Sequence, residues 1–430
     1  MDKITILPTR LNGSVVVPPS KSLSHRAIIC ACLADGESII DNLILSEDIL
    51  MTIEAMRQLG ANIEIVENDN KTYKVNIKKE KNKVSKAVID CKESGSTLRF
   101  IIPIAMMLSD ESTFIGTRRL GERPLDVYYK IFQEQNIEYT TTKGVLPLIV
   151  KGKLKAGQYN ISGSVSSQFV SGLLFALSLQ EEDSIINIVD NTESIGYIDL
   201  TIDMMKKYGM KIENEGYKRF IVKGGLKYTP LDYRVESDYS QGAFFLVGKS
   251  IGNSIECMGL YENSLQGDKE ILSIIERYDS VDKKSKESKE GSLEKEIVID
   301  VSQIPDLVPI MTVLGALKPN VTTKIINGQR LRIKESDRLK AISTEMNKIG
   351  ATVKELEDGL VIKGKETLKG GAIVSSWNDH RIAMALAIAA TKCIYPIELE
   401  EYASVKKSYP GFWEDYVKLG GKICGLHMGE

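Results

Sequence analysis

Apolar residues gather along this chain in six near-continuous runs that recur about every 65 to 75 residues, each opening on small or polar residues and closing at a polar turn. The runs are Ser20 to Ser38, Glu93 to Ser112, Ser164 to Ser184, Ser237 to Ser254, Ser302 to Val321 and Trp377 to Pro396. A helix that is apolar on every side leaves no face for water, so the pattern predicts six helices buried in domain cores. Ser, Asp and Asn at the openings suit N-caps, whose side chains accept from the backbone N–H groups that a first turn leaves free.

A short strand-like segment follows each run, such as Ser38 to Leu45 or Thr323 to Asn327, and then a segment with a one-sided apolar pattern. Ile49, Ile53, Met56 and Gly60 fall on one helical face in the first copy, as Leu339, Ile342, Met346 and Ile349 do in the fifth. Further strands complete the copy. They include Asn62 to Val66 with Tyr73 to Ile77, and Thr352 to Leu356 with Leu360 to Ile362, the last pair joined by the hairpin signal Asp358-Gly359. Open solenoids are built from repeats of about 20 to 50 residues with strong consensus, whereas these copies are longer and diverged. Two closed domains of three copies fit them better. The charge-rich stretch Asp282 to Glu296, inside the fourth copy, reads as a solvated insertion.

Composition narrows the function. Lys and Arg number 56 against 58 Asp and Glu in 430 residues, a net charge of -2, so there is no general basic field to hold a nucleic acid or an anionic membrane surface. No apolar run reaches the roughly 18 residues of a membrane span, and Met1 to Arg10 lacks a basic region followed by an apolar stretch. A cytoplasmic protein is expected. The six cysteines are scattered, which points to reduced thiols rather than a disulfide framework or a zinc site.

The arginines then draw attention to anions. Only 14 of the 56 basic residues are arginine, and eight of these (Arg26, Arg118, Arg119, Arg123, Arg330, Arg332, Arg338, Arg381) sit beside element boundaries of the repeats. A guanidinium grips carboxylate or phosphate bidentately, and a helix N-terminus adds free N–H groups. Pro18-Pro19-Ser20-Lys21-Ser22-Leu23-Ser24-His25-Arg26 places a lysine at a helix start and an arginine about one turn later. It is no Walker loop: Gly359 to Lys365 matches G-x-x-x-x-G-K, but Glu366 replaces the required Ser or Thr, and no G-x-G-x-x-G occurs. Ser164-Val165-Ser166-Ser167-Gln168 either caps a helix or binds a phosphate or sugar-like hydroxyls. In Lys334-Glu335-Ser336-Asp337-Arg338, Glu335 is either a general acid/base or one end of an i, i+3 pair. Asp379-His380-Arg381 supplies one of three histidines, and Asp306 of Ile304-Pro305-Asp306 either accepts a hydroxyl proton or caps the fifth helix. No His-rich or Cys-rich ligand set accompanies them, so the residues by themselves suggest acid/base transfer between two bound small anions.

These motifs, in this order, resemble the 5-enolpyruvylshikimate-3-phosphate synthase family of enolpyruvyl transferases along essentially the whole chain. The likeness rests on Pro19-Ser20-Lys21-Ser22-Leu23-Ser24-His25-Arg26-Ala27, Glu93-Ser94-Gly95-Ser96-Thr97-Leu98-Arg99, Gly121-Glu122-Arg123-Pro124, Ser166-Ser167-Gln168, Ile304-Pro305-Asp306, Lys334 to Leu339 and Asn378-Asp379-His380-Arg381 with Ala383. It implies an α/β (α+β) fold of two similar domains, residues 1–19 with 235–430 and residues 20–234. Each domain would hold three βαβαββ units with buried helices, an inside-out barrel, and a two-strand hinge would let the two close on ligands. It also implies a monomeric transferase with no cofactor and no metal, acting on phosphoenolpyruvate and shikimate 3-phosphate in aromatic amino acid biosynthesis.

By the same likeness Lys21, Arg123, Arg338, Arg381 and Lys407 would surround phosphoenolpyruvate, with backbone N–H near its phosphate at Gly95. Ser22, Arg26, Ser166, Ser167, Gln168, Ser194, Tyr197, Asp306 and Lys334 would touch shikimate 3-phosphate. Glu335 and Asp306 would be the acid/base pair, with Lys21 a third candidate and His380 assisting near Glu335. Glu93 and Arg330 stand where many and some members, respectively, carry Asn. The related UDP-N-acetylglucosamine enolpyruvyl transferases carry a cysteine in the loop that corresponds to Gly116 to Pro124, and this chain has none there. A phosphate-binding repeat scaffold without turnover is the reading from a different class.

Overall fold

A computed structural model describes residues 3–68, 71–79, 84–142, 144–287 and 295–425, with the backbone alone for 282–287. The chain opens with β1 (Lys3–Leu7) and β2 (Asn12–Val16). The first repeat runs α1 (Lys21–Leu33), β3 (Glu37–Leu43), α2 (Glu47–Gln58), β4 (Ala61–Glu67), β5 (Tyr73–Lys79). The second is β6 (Val84–Asp90), α3 (Gly95–Leu108), β7 (Ser109–Ile115), α4 (Asp126–Glu134), β8 (Glu138–Thr142), β9 (Val145–Lys151). The third is β10 (Gln158–Ile161), α5 (Ser167–Leu177), β11 (Ser184–Ile188), α6 (Ile195–Lys207), β12 (Ile212–Glu215), β13 (Arg219–Val222), and the short β14 (Tyr233–Arg234) follows it. The fourth holds α7 (Tyr239–Ser250), β15 (Ser254–Met258) and α8 (Ile271–Glu287). The fifth is β16 (Lys295–Asp300), α9 (Val308–Ala316), β17 (Val321–Ile326), α10 (Arg338–Lys348), β18 (Thr352–Glu355), β19 (Leu360–Lys363). The sixth is β20 (Ile373–Ser375), α11 (His380–Ala390), β21 (Ile397–Glu400), α12 (Phe412–Lys418), β22 (Lys422–Cys424).

The first helix of every repeat is buried nearly end to end, as continuous apolarity requires. Five of the six carry the expected side-chain cap. Ser20, Ser94 and Ser166 accept from Leu23 N, Thr97 N and Gln168 N, Asp238 from Ser240 N and Gln241 N, and Asp379 from Arg381 N. Each such cap contributes about 1 kcal/mol. The fifth is the exception: a 3-10 turn, Pro305–Leu307, leads into α9 with no side-chain cap, so Asp306 is not spent on the helix. The second helices are one-sided, with Ile49, Ile53 and Met56 of α2 and Leu339, Ile342 and Met346 of α10 turned inward.

Among the described residues five four-stranded sheets share one plan, in which two parallel strands are followed by two that add on antiparallel, as in β6-β7-β9-β8 and β16-β17-β19-β18. Alternating burial along strands such as β10 and β17 leaves one sheet face toward water, so the helices lie inside and the sheets outside.

The repeats are not contiguous in sequence, a departure from the linear pattern. The first borrows β14 as its leading strand beside β3, and the sixth takes β1 between β21 and β22. In the fourth, β2 pairs with β15, and no closing hairpin appears among the described residues. Of the charge-rich stretch after Val281, residues 288–294 lie outside the described residues, while Lys295 and Glu296 belong to β16.

The chain divides into two compact units, Met1–Pro18 with Ser237–Glu430 and Pro19–Glu236. Each has its own apolar cluster, one built round α1, α3 and α5 and the other round α7, α9 and α11. In the former, α3 and α5 meet at Gly172, where a Cβ would stand 2.4 Å from the Arg99 carbonyl oxygen and 2.5 Å from Tyr128 Oη. Only glycine permits that approach.

Because β1 is an inner strand of the sixth sheet, a substitution six residues from the start of the chain should behave as a core lesion. Ile6 is fully buried, and Ile6→Ala is expected to lower unfolding free energy by about 2–5 kcal/mol in urea denaturation. A loss below 0.5 kcal/mol would show that β1 is dispensable.

Candidate active site

In the unit formed by residues 1–18 and 237–430, four loops bring charged side chains together. Asp306, freed from capping, accepts from Arg338 Nη1 at 2.8 Å through Oδ1 and from Arg381 Nη2 at 3.0 Å through Oδ2, and Lys334 Nζ lies 3.8 Å from Oδ1. Arg338, the first residue of α10, also donates through Nε to Asp379 Oδ2 at 2.8 Å. Asp379 caps α11 and accepts from Ser336 Oγ as well. Next to it, His380 Nδ1 lies 2.9 Å from Glu335 Oε2, and Arg338 Nη2 lies 3.8 Å from Glu335 Oε1. Lys407 Nζ donates to the Asn378 carbonyl at 2.6 Å.

Burial works to raise the pKa of Glu335, but His380, Lys407 and Arg338 outweigh it and hold the carboxyl well below its ordinary range. The carboxyl is therefore ionised near neutrality, and His380 Nδ1 donates to it. For Arg338 burial opposes the charge, while Asp379, Asp306 and Glu335 raise its pKa above the ordinary value. Asp379 is pulled in the same two directions: burial raises it and Arg338 brings it down to a net depression.

The unit of residues 19–236 gathers cations and neutral polar groups. Lys21 Nζ meets Asp48 Oδ2 at 2.7 Å. Arg26 is buried and spends Nε, Nη1 and Nη2 on Thr201 Oγ1, the Ser22 carbonyl and the Tyr197 carbonyl at 2.7–2.8 Å. Arg26 thus ties the start of α1 to α6, whose N-cap residue, Ser194, sits in the left-handed region with φ 55°. Gln168 is held at both ends, its Oε1 accepting from Arg99 Nη1 at 2.8 Å and its Nε2 donating to Ser96 Oγ at 2.9 Å. Ser166 caps α5, and the adjacent Ser167 is buried. At Gly95, the first residue of α3, a Cβ would come within 2.6 Å of Arg123 Nη1 and 3.3 Å of Arg99 Nη1. The absence of a side chain at Gly95 is thus what lets both guanidiniums approach the start of α3. Burial first, and then Arg123, press the pKa of Arg99 downward.

A family model for EPSP synthase (3-phosphoshikimate 1-carboxyvinyltransferase) matches residues 7–416. The chain belongs to the EPSP synthase family. Its relatives named 3-phosphoshikimate 1-carboxyvinyltransferase include those of Clostridium novyi, 52% identical over 438 residues, and Clostridium acetobutylicum, 52% identical over 432 residues, each match spanning 100% of both chains. In fold the chain is similar to a solved EPSP synthase of Acinetobacter baumannii, with a TM-score of 0.78, 24% identity and 99% of each chain covered.

The residues expected from the family motifs divide between the units. Asp306, Lys334, Glu335, Arg338, His380, Arg381 and Lys407 cluster in one, and Lys21, Ser22, Arg26, Gly95, Arg123, Ser166, Ser167, Gln168, Ser194 and Tyr197 belong to the other. Several partners escaped sequence reasoning. Asp48, which meets Lys21, belongs to none of the quoted motifs, Asp379 reads only as part of a helix opening, and Arg99 stands in a quoted motif without a role of its own. At the two departures from the family pattern, Glu93 lies 3.5 Å from Arg118 Nε, and Arg330 donates to the Ser302 carbonyl.

Glu335, Asp379 and His380 bring ligand-type atoms within 4.8 Å of one another, the spacing of a metal triad. Both Asp379 oxygens already accept from Arg338, Ser336 and the Arg381 N–H. Within the trio His380 is hydrogen-bonded to Glu335, and its Nδ1 lies 4.0 Å from Asp379 Oδ1.

Since the folded pKa of Glu335 is depressed, its contribution to stability is full above the ordinary carboxylate pKa and is lost as pH falls through the lower folded value. Urea denaturation of wild type and Glu335→Gln should show a constant stability gap from about pH 5 to 7 that narrows below about pH 4.5. A gap independent of pH down to acid unfolding would contradict the ionised, paired carboxylate.

Proposed function

We propose that the two polar clusters are the working surfaces of the family's reaction, transfer of the enolpyruvyl group of phosphoenolpyruvate to the 5-hydroxyl of shikimate 3-phosphate with release of phosphate. The observation that carries the reading is the Glu335–His380 pair at 2.9 Å with Arg338 and Lys407 around it. An acid/base pair beside cations is what protonating a bound anionic enol phosphate requires.

Shikimate 3-phosphate is taken by Ser166, Ser167, Gln168, Ser22, Ser194 and Tyr197, with Asp306 and Lys334 at its reacting hydroxyl. Arg26 supports this surface from behind through the carbonyls of Ser22 and Tyr197. Phosphoenolpyruvate is taken by Lys21, Arg123, Arg338, Arg381, Lys407 and the Gly95 N–H. Its negative charge offsets the cations that depress Glu335, so the carboxyl rises toward a pKa at which it can carry the proton. Glu335 protonates the methylene to a methyl group and leaves a cationic carbon, and the 5-hydroxyl oxygen bonds to it while Asp306 accepts the hydroxyl proton. The tetrahedral adduct then expels phosphate as Glu335 takes back a methyl proton, which forms the enol ether of the product. Lys21 is a further candidate for proton transfer. His380 holds Glu335 in place. The enzyme acts as a cytoplasmic monomer; no described helix is long and apolar enough to cross a membrane.

Phosphate release from phosphoenolpyruvate should require shikimate 3-phosphate, and full activity with UDP-N-acetylglucosamine as acceptor would reject the reading. Glu335→Gln keeps the shape and loses the proton, so kcat should fall by about 10² to 10⁴ with little change in shikimate 3-phosphate binding. Activity within a few-fold of wild type would reduce Glu335 to an ion-pair residue.

A further inference from the structure

Immediately before the α11 cap, Trp377 and Asn378 both occupy the left-handed region, with φ 53° and 52°. Two such non-glycine residues in succession cost energy that the surroundings must supply, and such turns collect at functional sites. The surroundings here are two carboxylates. Glu401 Oε2 accepts from Asn378 N at 2.9 Å and from Ser375 Oγ at 3.0 Å. Glu345, 1% exposed, lies seven residues after Arg338 on α10 and thus on the same face two turns on. Its Oε1 accepts from Trp377 Nε1 at 2.8 Å and its Oε2 from Ser375 N at 3.1 Å. Helix α10 therefore grips the turn twice, through Arg338 on Asp379 and through Glu345 on Ser375 and Trp377. The gripped turn sets the direction of the Asn378 carbonyl, which holds Lys407 Nζ, and the start of α11, which carries His380 and Arg381.

We propose that Glu345 is a positioning residue for the phosphoenolpyruvate side of the reaction, acting through the Trp377–Asn378 turn on Lys407 and His380. Its other contact, Lys348, has a half-exposed side chain and lies outside this path. The inference rests on the reaction proposed above. A buried carboxylate that offers two acceptors to two N–H groups cannot be replaced by an amide: glutamine satisfies one and turns its own N–H2 on the other. The turn is then free to relax by a fraction of an ångström, enough to misplace a charged group at a reacting centre.

Steady-state kinetics on Glu345→Gln, Trp377→Phe, the double variant and Lys348→Met test this. Both single variants should lose about 10- to 100-fold in kcat/KM for phosphoenolpyruvate while KM for shikimate 3-phosphate stays within twofold. The double variant should be no worse than the poorer single one, because the two substitutions break one tether. Lys348→Met should match wild type. Trp377→Phe removes the Nε1–H but keeps an aromatic side chain, so it reads the tether even if Glu345→Gln folds poorly. Wild-type kinetics in both single variants, equal losses toward both substrates, additive losses, or a Lys348→Met defect as large as that of Glu345→Gln would each overturn the proposal. Wild-type protein that releases no phosphate with both substrates present would instead remove the reaction on which it rests.

Discussion

A single buried guanidinium orders one half of this molecule. Arg338 is nearly inaccessible to water, yet it touches the carboxylates of Asp306 and Asp379 and approaches that of Glu335. Stripping a charge of water is costly, and only several well-placed counter-charges make it tolerable; removal of one partner from such a set typically costs about 3–5 kcal/mol. The three carboxylates come from the turn before α9, the turn before α10 and the cap of α11. Satisfying one arginine therefore locks the ends of three helices to one another, and with them His380 and Arg381.

The unit of residues 19–236 answers the same problem differently. Arg26 and Arg99 are also buried, but their described partners are hydroxyls, carbonyls and an amide, and burial depresses both. Neutral acceptors fix the guanidinium geometry without cancelling its charge. One unit thus holds arginines balanced by carboxylates, and the other holds arginines whose described partners are neutral oxygens. The asymmetry matches a reaction in which acid/base groups and anion recognition are both required.

Strain and its support recur at the site. The left-handed pair Trp377–Asn378 and the left-handed Ser194 directly precede helices that carry candidate site residues. Side chains from elsewhere in the fold hold the first of these in place, so the supporting groups lie well away from the motifs they serve.

What the sequence determined by itself was local. Continuous apolarity marked the six inner helices, the 3.6-residue period marked the outer ones, Ser and Asp marked five of six caps, and Asp358-Gly359 marked a hairpin, because each depends on interactions within a few residues. The family motifs likewise named most of the residues gathered in the candidate site, since they are short contiguous strings. Tertiary structure alone decided that β1 completes the sixth sheet and β14 the first, that Asp306 faces two arginines rather than capping its helix, and that Glu345 holds Trp377. Those pairings join residues 32 to 75 positions apart at the site, and almost the whole chain in the sheet. No local propensity encodes such partners; they are selected by burial, which forces each charge and each unpaired N–H to find an acceptor wherever the fold brings one.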